Sequence, residues 1–71
     1  MRKKIDLHGY KHAEAKEAVI RLIEESYNKN TLVTAITGNS SKMRNVVIEV
    51  LSEYDITPLS TFLETEVKFY T

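Results

Sequence analysis

With 71 residues, ten basic side chains against ten acidic ones and no cysteine, the chain describes one small domain, residues 1–71, held together by packing alone. The missing cysteines exclude a disulfide framework, a thiolate zinc cluster and a cysteine nucleophile. No apolar run approaches the roughly 18 residues of a membrane span, and the basic start Met1-Arg2-Lys3-Lys4 leads into only a short mixed segment, so the expectation is a cytoplasmic protein without a membrane partner.

Residues 3–7 alternate Ile5 and Leu7 against Lys4 and Asp6, the pattern of a strand with one buried face, and Gly9 ends it. Over residues 12–27, Ala15, Val19, Leu22 and Ile23 recur at helical spacing, with Glu14, Glu17, Arg21, Glu24 and Glu25 on the remaining surface. A turn at residues 28–30 precedes residues 32–37, which are β-branched, nearly uncharged and suited to a central strand. Gly38-Asn39-Ser40-Ser41 breaks that strand. Met43, Val46, Val47, Val50, Leu51 and Tyr54 then repeat as on a second amphipathic helix, with Ser40 or Ser41 placed to cap it.

Pro58 bars further helix, and residues 59–63 and 66–70 read as two short alternating runs forming a closing hairpin. The expected architecture is therefore βαβαββ, a two-layer α/β (α+β) sandwich in which a mixed four-stranded sheet carries both helices on one face. An uncovered sheet face on so small a domain invites a homodimer.

The zero net charge hides a polarised chain. In residues 1–16, Arg2, Lys3, Lys4, Lys11 and Lys16 outnumber Asp6 and Glu14, and residues 37–48 hold only the cations Lys42 and Arg44. Residues 49–71 set Lys68 alone against Glu49, Glu53, Asp55, Glu64 and Glu66.

Two loops interrupt the pattern, Asp6-Leu7-His8-Gly9 after the first strand and Thr37-Gly38-Asn39-Ser40-Ser41 after the second. Both lie at strand carboxyl ends, where open α/β sheets bind ligands. The second feeds a helix N-terminus suited to a phosphate, and Lys42 and Arg44 in the first helical turn oppose the helix dipole unless an anion docks there. Asp6 and His8 project to the same side of their strand. From that placement Asp6 either orients the imidazole for general acid–base work or simply accepts backbone N–H groups.

Ile5-Asp6-Leu7-His8-Gly9, followed by a helix near Ala13-Glu14-Ala15, resembles the Leu-Asp-x-His-Gly opening of the Smr (small MutS-related) domain. Ile36-Thr37-Gly38, a polar loop and an amphipathic helix resemble that family's Thr-Gly-x-Gly segment, and the likeness extends through the final hairpin. Ser40 stands where the family usually has its second glycine, and the usual His-Ser-x-x-Gly stretch is shortened to Ser40-Ser41-Lys42. The resemblance implies binding of DNA or RNA, with endonuclease or nicking activity on the phosphodiester backbone. It implicates Asp6 and His8 in catalysis and Thr37 and Gly38 in the second motif.

The residues expected to hold phosphate are Gly9, Lys11, Thr37, Gly38, Asn39, Ser40, Ser41, Lys42 and Arg44, with Lys3 and Lys4 nearby. Tyr10, Phe62 and Tyr70 are candidate stacking platforms for bases. No dedicated metal site is expected, since Gly9 separates His8 from His12, and a divalent cation such as Mg²⁺ or Mn²⁺ is left open as cofactor. The second loop is wrongly spaced for a P-loop. The alternative reading is a catalytically inactive adaptor that binds nucleic acid or protein.

Overall fold

The computed structural model describes residues 2–27, 29–59 and 65–71, and in them the order is β1 (Arg2–Asp6), α1 (His12–Ser26), β2 (Leu32–Ile36), α2 (Ser41–Glu53) and β3 (Glu66–Tyr70). The helical periodicities translate directly into packing. Ala15, Val19 and Ile23 of α1 and Met43, Val47, Val50 and Leu51 of α2 are buried in one cluster with Leu7, Val33, Ala35, Val67 and Phe69 from the sheet side.

The sheet order is β1-β2-β3, with β2 parallel to β1 and antiparallel to β3. Ile5 lies opposite Ala35, which in turn lies opposite Val67, so the apolar alternation of three strands falls on one face and both helices cover it. The other face carries three cross-strand rows in the described residues: Arg2–Leu32–Tyr70, Lys4–Thr34–Lys68 and Asp6–Ile36–Glu66.

This corrects the expected four-stranded βαβαββ sandwich. The fold is α+β with a three-stranded mixed sheet, and no fourth strand is present among the described residues. Of the expected strand over 59–63, Leu59 makes a single antiparallel bridge to Lys68, donating its N–H to the Lys68 carbonyl at 2.8 Å. Pro58, immediately before it, falls at the position whose N–H would point away from β3, where a proline is tolerated. The remainder of that run, with Phe62, lies outside the described residues.

Each helix starts beside the carboxyl ends of β1 and β2, here the upper edge, and runs back to the lower end of the sheet. The lower end is closed by the chain terminus: the Thr71 N–H donates to the Thr31 carbonyl at 3.0 Å and its hydroxyl to the Ser26 carbonyl at 2.8 Å. Ser26, buried, donates its own hydroxyl to the Leu22 carbonyl at 2.6 Å. Among the described residues every buried side-chain polar atom has a hydrogen-bond partner. None of the described helices is long and apolar enough to cross a membrane.

Candidate functional site at the upper sheet edge

Parallel pairing sets Asp6 opposite Ile36, and the Leu7 N–H extends the ladder by donating to the Ile36 carbonyl at 2.9 Å. The two motif loops therefore leave the sheet side by side. The first turns at once: the Tyr10 N–H donates to the Leu7 carbonyl at 3.0 Å, with Gly9 at φ +88°, as a glycine in the third position of a type II turn requires. Gly38 also has a left-handed backbone, φ +65°, and a Cβ built there would stand 3.4 Å from Cδ2 of His8. The imidazole of the first motif thus rests against the glycine of the second.

Asp6 and His8 are both exposed, and Oδ1 of Asp6 accepts the backbone N–H of His8 at 2.9 Å. The carboxylate closes an Asx-type turn that fixes where His8 leaves the strand. Of the two roles the sequence left open for Asp6, this is the backbone-accepting one.

The second loop is held from β3. The N–H groups of Thr37 and Gly38 both donate to the Thr65 carbonyl, at 2.8 and 3.2 Å, and the Thr37 hydroxyl lies 3.2 Å from the carbonyl oxygens of Thr65 and Gly38. Thr37 is buried, so both groups of this motif residue serve to anchor the loop, and the Gly38 N–H already has a partner. Ser40 is the N-cap of α2: its hydroxyl oxygen accepts the Met43 N–H at 3.1 Å, and its carbonyl accepts from Arg44 at 3.1 Å. This serine of the second loop is thereby used as a helix cap. Helix geometry leaves the N–H groups of Ser41 and Lys42 without intrahelical partners at this edge.

The cations divide by burial. Arg44 is half-buried and its Nη1 donates to the Glu66 carbonyl at 2.9 Å, tying α2 to β3. Lys42, on the same helical turn, is exposed, as are Lys11, Asn39, Ser40 and Ser41. Lys11 is the N-cap of α1, and because a lysine side chain has no acceptor, Glu14 supplies one by taking the Lys11 N–H at 3.1 Å. Tyr10, 46% exposed, borders the loop, whereas Tyr70 stands at the opposite end of the sheet.

Thr65 and Glu66, whose carbonyls fix the second loop and Arg44, were absent from the sequence-derived site. Backbone carbonyls leave no side-chain signature, so no local pattern could mark them. Glu14 did leave one, an acid three residues after the N-cap. Among the described residues no three His, Asp or Glu side chains gather as a metal-binding group.

No family model, curated protein or solved structure matches this chain.

Proposed function

We propose that the chain is a minimal Smr-like, cytoplasmic nucleic-acid-binding domain that grips the sugar–phosphate backbone of DNA or RNA at its upper edge. The observation that carries this reading is the meeting of His8 with Gly38, which joins two motif loops distant in sequence at the starts of both helices. Exposed Lys11 and Lys42 stand at those starts, where helix dipoles favour anions and disfavour cations. A bound phosphate reverses that local penalty. The N–H groups of Ser41 and Lys42 and the Lys42 ammonium hold the phosphate, while Arg44 keeps the helix in place against β3.

Phosphodiester cleavage at this edge would have water attack the phosphorus as the P–O ester bond breaks, with His8, the exposed imidazole beside the loop, taking the water's proton, solvent protonating the departing oxygen, and Asp6 setting the backbone position of His8. Fluorescence anisotropy with labelled single- and double-stranded DNA and RNA across a salt series tests the binding. The expected result is a linear fall of log affinity with log salt, shallower by about one in Lys42→Ala. Absence of binding to all four probes at low salt would overturn the reading. Incubation with and without a chelator, for wild type and His8→Ala, then separates a nuclease from a binding module.

We also propose that the uncovered sheet face pairs with a second copy. Its charges form a gradient along the strands, with Arg2, Lys4 and Lys68 toward one end and Asp6 and Glu66 at the other. A two-fold axis lying between the faces and perpendicular to the strands sets the acidic row of one copy over the basic rows of its mate. Sedimentation equilibrium should show a dimer that Lys4→Glu with Lys68→Glu dissolves; a wild-type monomer at high concentration would exclude it.

A further inference from the structure

At the lower end, away from the proposed phosphate edge, the structure has a cleft of about 400 Å³ bordered by Tyr27, Tyr54, Tyr70, Asp55, Ile56 and Leu59. Three of the four tyrosines in the chain line it. They arrive from the end of α1, the end of α2 and the end of β3, and Tyr27 and Tyr70 are about half exposed. Scattered exposed aromatics are ordinary, but three that border one concavity offer it an aromatic margin.

The helix ends and the carboxylate at the cleft favour a cationic occupant. Both helices end here, so both present the partially negative end of the dipole, and neither has a basic residue in its last turn. Acids stand there instead, Glu24 and Glu25 on α1 and Glu53 on α2, where they work against the dipole. The Tyr54 hydroxyl donates to Oε2 of Glu24 at 3.3 Å, which fixes a carboxylate at the margin of the aromatic wall.

Asp55 adds an independent sign. The end of α2 is a Schellman motif: the Ile56 N–H reaches the Leu51 carbonyl at 2.9 Å and the Asp55 N–H reaches the Ser52 carbonyl at 3.2 Å. The motif puts Asp55 at φ +57°, a left-handed conformation that glycine adopts at least cost. The side chain in this unfavoured position is a carboxylate on the cleft wall.

Aromatic faces attract cations through their quadrupole, and a carboxylate beside them adds a counter-ion. We infer that this cleft is a binding site for an alkylammonium group, held against Tyr27, Tyr54 and Tyr70 and neutralised by Asp55. Arg2, in the cross-strand row of Tyr70, and Lys29, whose N–H donates to the Ser26 carbonyl at the end of α1, are cations at this end, but Asp55 and both helix C-termini border the cleft itself, which sets it apart in chemistry and position from the upper edge.

The chain has no tryptophan, so tyrosine emission reports on the cleft directly. Choline is titrated at constant ionic strength, with 3,3-dimethyl-1-butanol as the uncharged analogue of equal shape. Choline should produce a saturable change, with the neutral analogue about tenfold weaker. Tyr27→Ala should abolish it. Asp55→Gly should weaken choline binding while raising the thermal midpoint, because glycine relieves the left-handed backbone; the opposite directions separate loss of a site from loss of the fold. Equal binding of choline and its neutral analogue, or no saturable response to choline, would overturn the assignment. A trimethyllysine peptide in parallel distinguishes the source: tighter binding of the peptide than of choline marks a protein-borne ammonium, and tighter binding of choline marks a free one.

Discussion

The imidazole of His8 lies against Gly38, so close that a methyl group at position 38 would contact its Cδ2 at 3.4 Å. That distance is ordinary van der Waals contact, and the left-handed backbone at φ +65° is the stronger constraint. Gly38→Ala should therefore lower unfolding free energy by about 1 kcal/mol in a denaturant titration. Adding His8→Ala should not restore it, because the cost resides in the backbone.

Lys42 and Arg44 share a helical turn but should respond differently. Arg44→Ala removes the bond to the Glu66 carbonyl and should destabilise by about 1–2 kcal/mol. Lys42→Ala, at an exposed position, should stay within about 0.5 kcal/mol of wild type. Chemical denaturation of the two variants, set beside their nucleic-acid salt slopes, separates a structural cation from a ligand-facing one.

Ser40 caps α2 through the Met43 N–H. Ser40→Ala should cost about 1 kcal/mol, and Ser40→Asp should recover it, since aspartate caps as well and suits the positive helix end. Thermal melts monitored by circular dichroism would show the order. If the aspartate variant also binds nucleic acid more weakly, the negative charge sits where phosphate is proposed to dock.

The Tyr54 phenol is held above its ordinary value of 10.0, first by loss of solvent and then by the negative charges of Glu24 and Glu53. A raised folded-state value means that the native state retains a proton the unfolded chain has released. The contribution is thus complete below pH 10 and lost as pH climbs through the folded value. Stability should fall with rising alkalinity, and less steeply in Tyr54→Phe. Urea midpoints on either side of that pH provide the comparison.

Phe69 is fully buried on β3. Phe69→Ala should cost about 3–5 kcal/mol. A domain of this length has roughly 4–10 kcal/mol in total at about 0.05–0.15 kcal/mol per residue. The variant should lose roughly half of that stability, with its urea midpoint falling in proportion.

Spacing along a single segment sets both helices, the three strands and their buried faces, whereas the fourth strand expected over 59–63 is not present among the described residues. Met43, Val47, Val50 and Leu51 lie inward as helical periodicity requires, and Ile5 and Leu7 share the covered face as strand alternation requires. The sequence also placed both motif loops at one edge, since the β1-α1-β2 crossover leaves parallel strands no other arrangement. Tertiary structure decided everything that joins segments through backbone atoms: Thr65 taking the Thr37 and Gly38 N–H groups, Glu66 taking Arg44, and Leu59 pairing with Lys68 in one bridge where a full strand was expected. It alone gathered Tyr27, Tyr54 and Tyr70, which no spacing relates. Periodicity records which side of a segment faces the core, whereas the partner of a carbonyl or the neighbour of a ring depends on where the other segments come to rest.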